Sequence, residues 1–380
     1  MFERRVLIDQ ATQTSDAATH RASLPRAGLL SGIELEVSIQ NGSTAGEEHV
    51  IDAVDRVEVV ADGSNVLFSL EGVELLRWAW YWSKRFPTQV WDERASAQRQ
   101  QITLPILFGR WLGDTEFGLD LSRYRDVEIR VQYSPTIAAT GFTTGTFRIN
   151  EVMWIDDSGR SGGGRGFLRT TQVYAFTSAA SGEEVVELAR EYPLFDLLVY
   201  AREDAIDDGV DITQAEVRVN DRRIIPYTGR WNDIQGENQN MFGIDPTVSL
   251  RALRADNATI DLLTGRILAA QLLLVEDLAA AADFRYATIA SYAGDRITTH
   301  IAIVEGSATY AATILETTRQ ALLIEAQGLG IGNAICIPFA LGGNPDLALP
   351  SPEFNRVQLA LTQGGAGGDV RVSTRELVAG

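Results

Sequence analysis

An acidic segment is the stretch of this sequence that is richest in possible metal ligands. Residues 203–211 read Glu-Asp-Ala-Ile-Asp-Asp-Gly-Val-Asp, and calcium prefers such oxygen ligands. The candidate ligands are Asp204, Asp207, Asp208 and Asp211. Their spacing does not match an EF-hand loop, and a solvated acidic loop explains the same residues. We therefore predict no metal site and keep calcium as the alternative.

Residues that act as catalytic nucleophiles and bases are scarce. The chain contains His20, His49 and His300 and a single cysteine, Cys336, which lies in an apolar run and is predicted to be a small buried hydrophobe. A Ser-His-Asp triad would have to use one of these three histidines, and zinc would need more cysteine and histidine. Because the chain has 51 acidic residues, no particular pair of carboxylates stands out. The sequence predicts no catalytic residue, no cofactor and no enzyme.

Aromatic and basic residues are concentrated between residues 71 and 100. Tryptophan and arginine are favoured anchors of protein interfaces, so this region is predicted to lie between neighbouring subunits. The candidate interface residues are Trp78, Trp80, Trp82 and Arg94.

Two glycine-containing motifs have simple interpretations. Gly-Arg-Trp at 109–111 recurs at 229–231, and each arginine is predicted to stack on an aromatic ring. A glycan site at these tryptophans is the alternative to core or interface packing. The glycine-rich residues 156–166 lack the GxxxxGK[ST] pattern of a phosphate-binding loop and are interpreted as a linker.

The balance of charge argues against binding to nucleic acid. The chain has 51 acidic and 33 basic residues, a formal net charge of -18 at pH 7, and Lys84 is its only lysine. Phosphate backbones are bound by positive patches, so specific nucleic-acid binding is not expected. No apolar run approaches the roughly 20 residues of a membrane-spanning helix, and residues 1–29 lack the apolar region of a signal peptide.

Alternation of apolar and polar residues, the pattern of half-buried strands, runs through most of the chain. It is most regular at 33–39 and 127–133, and turns such as Asp62-Gly63 and Asn220-Asp221 separate the strands. Many short strands with such turns are typical of sandwiches and barrels. The sequence therefore predicts an all-β protein with few short helices.

Three segments carry helical signals. Residues 71–84 place Val73 and Trp80 on one helical face, although the tryptophans there also alternate as in a strand. Residues 183–190 are predicted to form a short helix, and residues 264–282 fit either a helix or a pair of strands.

The strand pattern occurs twice in the same order. The matching segments are 33–39 with 195–200, 57–59 with 217–219, 104–108 with 337–341, 124–131 with 354–361 and 146–149 with 369–372. A single match is common among β-proteins, but the ordered set indicates two copies of one β-domain.

These features resemble the double jelly-roll major capsid proteins of the adenovirus and tectivirus lineage, over roughly residues 29–377. The resemblance implies two tandem eight-stranded jelly-roll β-sandwich domains. The implied divisions are an N-terminal arm at 1–28, a first jelly roll at 29–155, a linker at 156–185 and a second jelly roll at 186–380. Residues 233–283 exceed their counterpart in length and are expected to form an outer-surface tower.

The resemblance also implies partners and a location. Three subunits would form a pseudo-hexameric homotrimer, and these capsomers would assemble with minor capsid or vertex proteins into an icosahedral shell. The N-terminal arm would reach neighbouring subunits or an internal membrane. We therefore predict a structural protein of the virion capsid, assembled in the host cytoplasm. The alternative is a tandem β-sandwich module that binds carbohydrate or a receptor, such as an adhesin or a phage receptor-binding protein.

Overall fold

The computed structural model describes most of the chain. The described residues are 2–13, 17–41, 49–87, 89–92, 99–134, 142–155, 164–202, 209–253, 259–261, 267–277, 284–293, 296–305, 308–311 and 320–380. They are mostly β-strands and include two α-helices. The prediction of an all-β protein with few helices is confirmed.

The first half of the chain forms a β-sandwich with one helix. Its elements are β1 (Phe2–Gln13), β2 (Ala18–Ser23), β3 (Leu29–Gln40), β4 (Val54–Ala61), β5 (Asn65–Glu71), α1 (Gly72–Ser83), β6 (Gln89–Asp92), β7 (Arg99–Leu107), β8 (Leu119–Asp120), β9 (Val127–Tyr133) and β10 (Thr144–Ile155). One sheet has the order β1-β10-β3-β7-β6, with β8 beside β3, and the other strands follow the order β2-β9-β4-β5.

The second half repeats this plan. Its elements are β11 (Gly166–Thr177), β12 (Gly182–Glu187), β13 (Leu194–Arg202), β14 (Ile212–Val219), β15 (Ile224–Arg230), α2 (Trp231–Phe242), β23 (Ala334–Pro338), β24 (Val357–Gln363) and β25 (Asp369–Ala379). The strand orders are β11-β25-β13-β23 and β12-β24-β14-β15.

Both halves therefore share the jelly-roll topology. When the short strands β6 and β8 are set aside, each half pairs its first, eighth, third and sixth strands in one sheet. The second, seventh, fourth and fifth strands form the other group, and a helix follows the fifth strand in each half. Every pair of segments matched in the sequence occupies equivalent strands, so the predicted repeat is confirmed.

A large insertion separates α2 from β23. It contains β16 (Thr247–Leu253), β17 (Thr259–Asp261), β18 (Ala269–Asp277), β19 (Phe284–Ala293), β20 (Arg296–Glu305), β21 (Ala308–Ala311) and β22 (Gln320–Gln327). These strands form two sheets, β16-β22-β18 and β17-β20-β19, with β21 beside β20. The insertion therefore begins later than the predicted segment 233–283, because residues 231–242 form the helix equivalent to α1. It also extends further, since its last strand ends at Gln327. Residues 269–277 of the ambiguous 264–282 segment are a strand.

Residues 2–13 and 18–23 are not an arm outside the first jelly roll. Strand β1 pairs with β10 from Phe2 opposite Ile155 to Gln13 opposite Gly145, and β2 pairs with β9. The predicted arm at 1–28 is wrong for these residues. Most of β1 is exposed, so it lacks the apolar alternation by which the other strands were identified.

The linker predicted at 156–185 also contains strands of the second jelly roll. Within it β11 pairs with β25 and β12 pairs with β24, while residues 156–163 lie outside the described residues. The short helix predicted at 183–190 is wrong for the same reason. Pairing with β24 leaves Glu183 exposed and buries Val186, and the local helical preference does not outweigh this pairing.

The two halves share one sheet. Strand β5 pairs in parallel with β11, with Phe68 opposite Thr170 and Ser69 opposite Thr171. This pairing joins four strands of the first jelly roll to four of the second in an eight-stranded sheet. The pairing is short, so side chains must contribute most of the contact between the halves.

The turn between the fourth and fifth strands is built alike in each half. Asp62 and Asn220 adopt left-handed φ values of 51° and 52°. The Asp62 carboxylate accepts the backbone N–H of Arg125 at 2.8 Å, and the Asn220 side-chain oxygen accepts that of Asn355 at 2.8 Å. Asp and Asn tolerate this conformation and provide the required acceptor, so each turn anchors the start of the seventh strand.

We expect Asp62→Ala to lower the free energy of unfolding by about 1–3 kcal/mol, because two backbone N–H groups lose their acceptor. Asp62→Asn keeps both the acceptor oxygen and the tolerance of left-handed backbone, so it should remain close to the parent protein. Urea denaturation of the three proteins tests this. Equal losses in both variants would show that the side-chain acceptor does not hold this turn.

Candidate functional site

Helix α1 lies at the junction of the two jelly rolls and is buried by both of them. Residue Glu71 precedes the helix, and its backbone N–H donates to the Glu74 carboxylate at 3.2 Å, as at a capped N-terminus. Lys84 ends the helix with a left-handed φ of 62°. The helix predicted at 71–84 is confirmed. Its period places Trp78 and Trp82 together, with ring centres 5.4 Å apart.

Two tryptophans of α1 anchor the junction. The Trp78 indole N–H donates to the hydroxyl of Ser373 in β25 at 2.8 Å, and the Trp80 indole donates to the carbonyl of Asp245 at 2.8 Å. Both side chains have no exposed surface in the single chain. The prediction that Trp78 and Trp80 contact a neighbouring subunit is therefore wrong, because residues of the same chain cover both side chains completely.

A buried arginine of α1 reinforces the contact. The Nε of Arg77 donates to the carbonyl of Gly332 at 2.9 Å, and its guanidinium lies 5.3 Å from the centre of the Tyr200 ring in β13. Stacking on a ring and bonding to a carbonyl together stabilise a buried guanidinium.

A polar network covers another part of the junction. Glu71 forms ion pairs with Arg371 of β25 at 2.9 Å and with Arg56 of β4 at 3.2 Å. Gln172 of β11 bonds both the Glu71 carboxylate, at 3.1 Å, and Arg56, at 2.5 Å. One carboxylate and its partners thus link four strands, β4 and β5 of the first half with β11 and β25 of the second.

A second ion pair is fully buried beneath Trp82. Arg375 and Asp196 approach to 3.4 Å, and Arg375 also donates to the carbonyl of Gly109 at 2.5 Å. The Tyr81 hydroxyl donates to the Asp196 carboxylate at 3.3 Å. Burial raises the pKa of Asp196, and the positive charge of Arg375 opposes this shift.

This ion pair forms the floor of a cleft of about 440 Å³ at the junction. Its aromatic and charged lining residues include Trp82, Lys84, Trp111, Phe195, Asp196 and Arg375. The guanidinium of Arg375 lies 5.3 Å from the centre of the Trp82 ring and 5.4 Å from that of Phe195. We call this opening the junction cleft.

The structure places the other predicted interface residues differently. Trp82 is half-buried and lines the junction cleft, so a role at a subunit interface stays a prediction for it. Arg94 lies outside the described residues. Arg110 stacks on Trp111 at 4.4 Å, as predicted for that motif, whereas Trp231 is buried at the start of α2.

The calcium candidates fall mostly outside the described residues. Asp204, Asp207 and Asp208 belong to that part of the chain, while Asp211 is buried beside the turn that precedes β25. Among the described residues, no group of three or more His, Cys, Asp or Glu side chains is arranged to hold a metal ion. Neither described helix is long and apolar enough to cross a bilayer.

Cys336 is buried, as predicted, and burial raises the pKa of its thiol well above the usual range. Its backbone N–H donates to the Asn238 side chain of α2 at 2.8 Å, and the Asn238 amide donates to its carbonyl at 2.7 Å. The Asn238 side chain thereby satisfies backbone groups on the outer edge of β23, so helix α2 covers this edge of the sheet.

Sequence reasoning did not identify Asp196, Arg375 or Glu71 as residues of the junction. Asp196 and Arg375 lie in strands that were recognised from their apolar residues. A buried ion pair adds no periodic pattern to the sequence, so these two residues could not be recognised in the same way. Only the fold brings positions 179 residues apart into contact.

Solved structures of several viral capsid proteins are similar to this chain. The chain is similar to the STIV MCP, with a TM-score of 0.57 and 12% identity over 98% of this chain and 97% of that one. It is similar to the major capsid protein P2 from bacteriophage PM2, with a TM-score of 0.52 and 10% identity over 100% of this chain and 98% of that one. It is also similar to VP54 of PBCV-1, with a TM-score of 0.54 and 9% identity over 99% of this chain and 94% of that one.

At these identities the similarity shows a shared fold. It covers both jelly rolls and nearly the full length of each compared chain, so the predicted double jelly-roll architecture is confirmed. No family model matches the sequence, and no curated protein does.

We expect Trp78→Phe to lower the free energy of unfolding by about 2–4 kcal/mol, because it leaves a void and removes the donor to Ser373. Trp111→Phe, at a side chain that is 51% exposed, is the matched control and should change it by less than about 0.5 kcal/mol. Denaturant unfolding measures both values. Similar values for the two variants would contradict an anchoring role for Trp78.

Glu74 in α1 makes the junction sensitive to pH. Burial raises the pKa of its carboxyl from the usual 4.5 to about 8, so the folded protein holds a proton that the unfolded chain has lost. This stability is fully present below pH 4.5 and is lost as the pH rises toward 8 and above.

Glu74→Gln keeps an acceptor for the Glu71 N–H but cannot ionise. We expect this variant to be more stable than the parent at pH 8.5 by at least about 1 kcal/mol, and the difference to shrink toward pH 5. Glu353→Gln, at an exposed position, is the control and should show no such trend. A pH-independent difference at Glu74 would contradict this assignment.

Proposed function

We propose that this chain is the major capsid protein of an icosahedral virus. One observation carries the proposal: a single chain contains two jelly rolls of the same topology, fused through a buried junction. Three such chains in a ring present six similar domains around one axis, which is the geometry of a pseudo-hexameric tile. The capsid proteins that share the fold over nearly their whole length support this reading.

The role we propose is structural and not enzymatic. Self-association is its first requirement, and minor capsid or vertex proteins are the further partners that a closed shell needs. We place the protein in the virion capsid, with assembly in the host cytoplasm. Contact with an internal membrane through residues 2–13 and 18–23 loses its basis, because these residues pair in the sheets of the first jelly roll.

A tandem binding module remains the second candidate because Trp111, Met241 and Leu341 are at least half exposed around the junction cleft. Exposed aromatic and apolar side chains are common in carbohydrate sites as well as in protein interfaces. A signal on a glycan array from protein that stays monomeric would favour this candidate.

We expect the purified protein to form a particle with three times the mass of one chain. Light scattering over a range of protein and salt concentrations measures the mass, and negative-stain imaging should show a hexagonal outline. A protein that remains monomeric or dimeric under all these conditions would contradict the capsid proposal.

A further inference from the structure

The junction cleft carries more positive than negative charge. Lys84 and Arg375 face it, and Asp196 is the carboxylate that faces them from the floor. Arg110 also lines the cleft, but it already forms ion pairs with Asp114 at 2.7 Å and Glu116 at 2.8 Å. A positive cleft is unusual on a chain whose formal net charge is -18.

Several donors in the cleft lack acceptors. The Nε of Arg375 and the indole Nε1 of Trp82 are buried without a hydrogen-bond partner among the described residues. Lys84 Nζ lies 4.2 Å from the centre of the Tyr81 ring and has no ion pair within the described part of the chain. Because the Arg375 and Trp82 nitrogens are buried, Lys84 is the donor of this set that an incoming acceptor group can reach, and such an acceptor would stabilise its charge.

The mouth of the cleft is apolar. Trp111, Leu341 and Met241 are 51%, 50% and 70% exposed, and all three line the opening. Exposed apolar side chains beside Trp and Arg favour a protein interface, because Trp, Met and Arg are enriched there. A small anion alone would leave this rim in water.

We infer that the junction cleft is an interface with a second copy of this chain and receives an Asp or Glu side chain from it. Charge complementarity supports this contact: each copy carries 51 acidic residues, and the cleft offers the Lys84 ammonium, which forms no ion pair with the described residues. A cleft on one copy and a carboxylate elsewhere on the next make a head-to-tail contact, which closes into a ring. The inference rests on the proposed self-assembly and specifies one of its contacts.

The single lysine makes this contact directly measurable. A carbodiimide joins an amine to a carboxylate that touches it, without a spacer, and Lys84 is the only lysine of the chain. Assembled particles prepared from equal amounts of unlabelled and nitrogen-15-labelled protein are treated with the carbodiimide and digested. We expect cross-linked peptides in which Lys84 comes from one isotope and the acidic residue from the other.

Two variants complete the test. Lys84→Met removes the charge but retains much of the stem, and we expect at least a tenfold higher protein concentration for half-assembly. Lys84→Arg keeps the charge, so it should assemble normally while losing the mixed cross-link. Circular dichroism melts confirm that both variants fold.

The outcomes separate this inference from the proposed function. Trimers with a hexagonal outline that give only cross-links within one chain, such as Lys84 to Asp196, overturn the inference and leave the capsid proposal standing. Normal assembly of Lys84→Met would also overturn it. A protein that never assembles overturns both.

Discussion

The hydrogen bond between the Trp78 indole and the Ser373 hydroxyl sets how the two halves of this molecule meet. Each jelly roll can close its own core through apolar contacts, which have no preferred direction. The short pairing of β5 with β11 joins the halves but leaves their side chains to determine the fit. A directional bond at 2.8 Å inside a dry contact allows one arrangement, and the polar partners around it support the same one.

The two equivalent helices show how a repeated fold can take on different tasks. Helix α1 inserts between the halves and is apolar and aromatic, with Trp80 wholly buried. Helix α2 covers the edge of β23 through Asn238 and is more polar. The same position after the fifth strand therefore serves as the junction in one half and as an edge cover in the other. This asymmetry makes the chain one unit of two unequal domains.

Strand alternation predicted the fold class and the repeat, and the helical face formed by Val73 and Trp80 predicted the helix at the junction. It failed where burial on one face is weak: β1 is mostly exposed, so its residues gave no period of two and resembled an arm. It also failed to separate a core from an interface, since tryptophans are common in both. The Asp196–Arg375 ion pair could not be predicted from the sequence, because it joins strands far apart in the sequence and depends on the completed fold.

The position of β25 has a consequence for how the protein is made. This strand is the last of the second jelly roll in sequence, yet it lies between β11 and β13, and it carries Ser373 and Arg375. During synthesis, neither the second sandwich nor the junction can be completed before residues 369–379 leave the ribosome. Contacts across 295 residues form slowly, and the Trp78 indole gains its acceptor, Ser373, only once β25 has been made. The molecule thus reaches its final shape only after residues 369–379 have been synthesised.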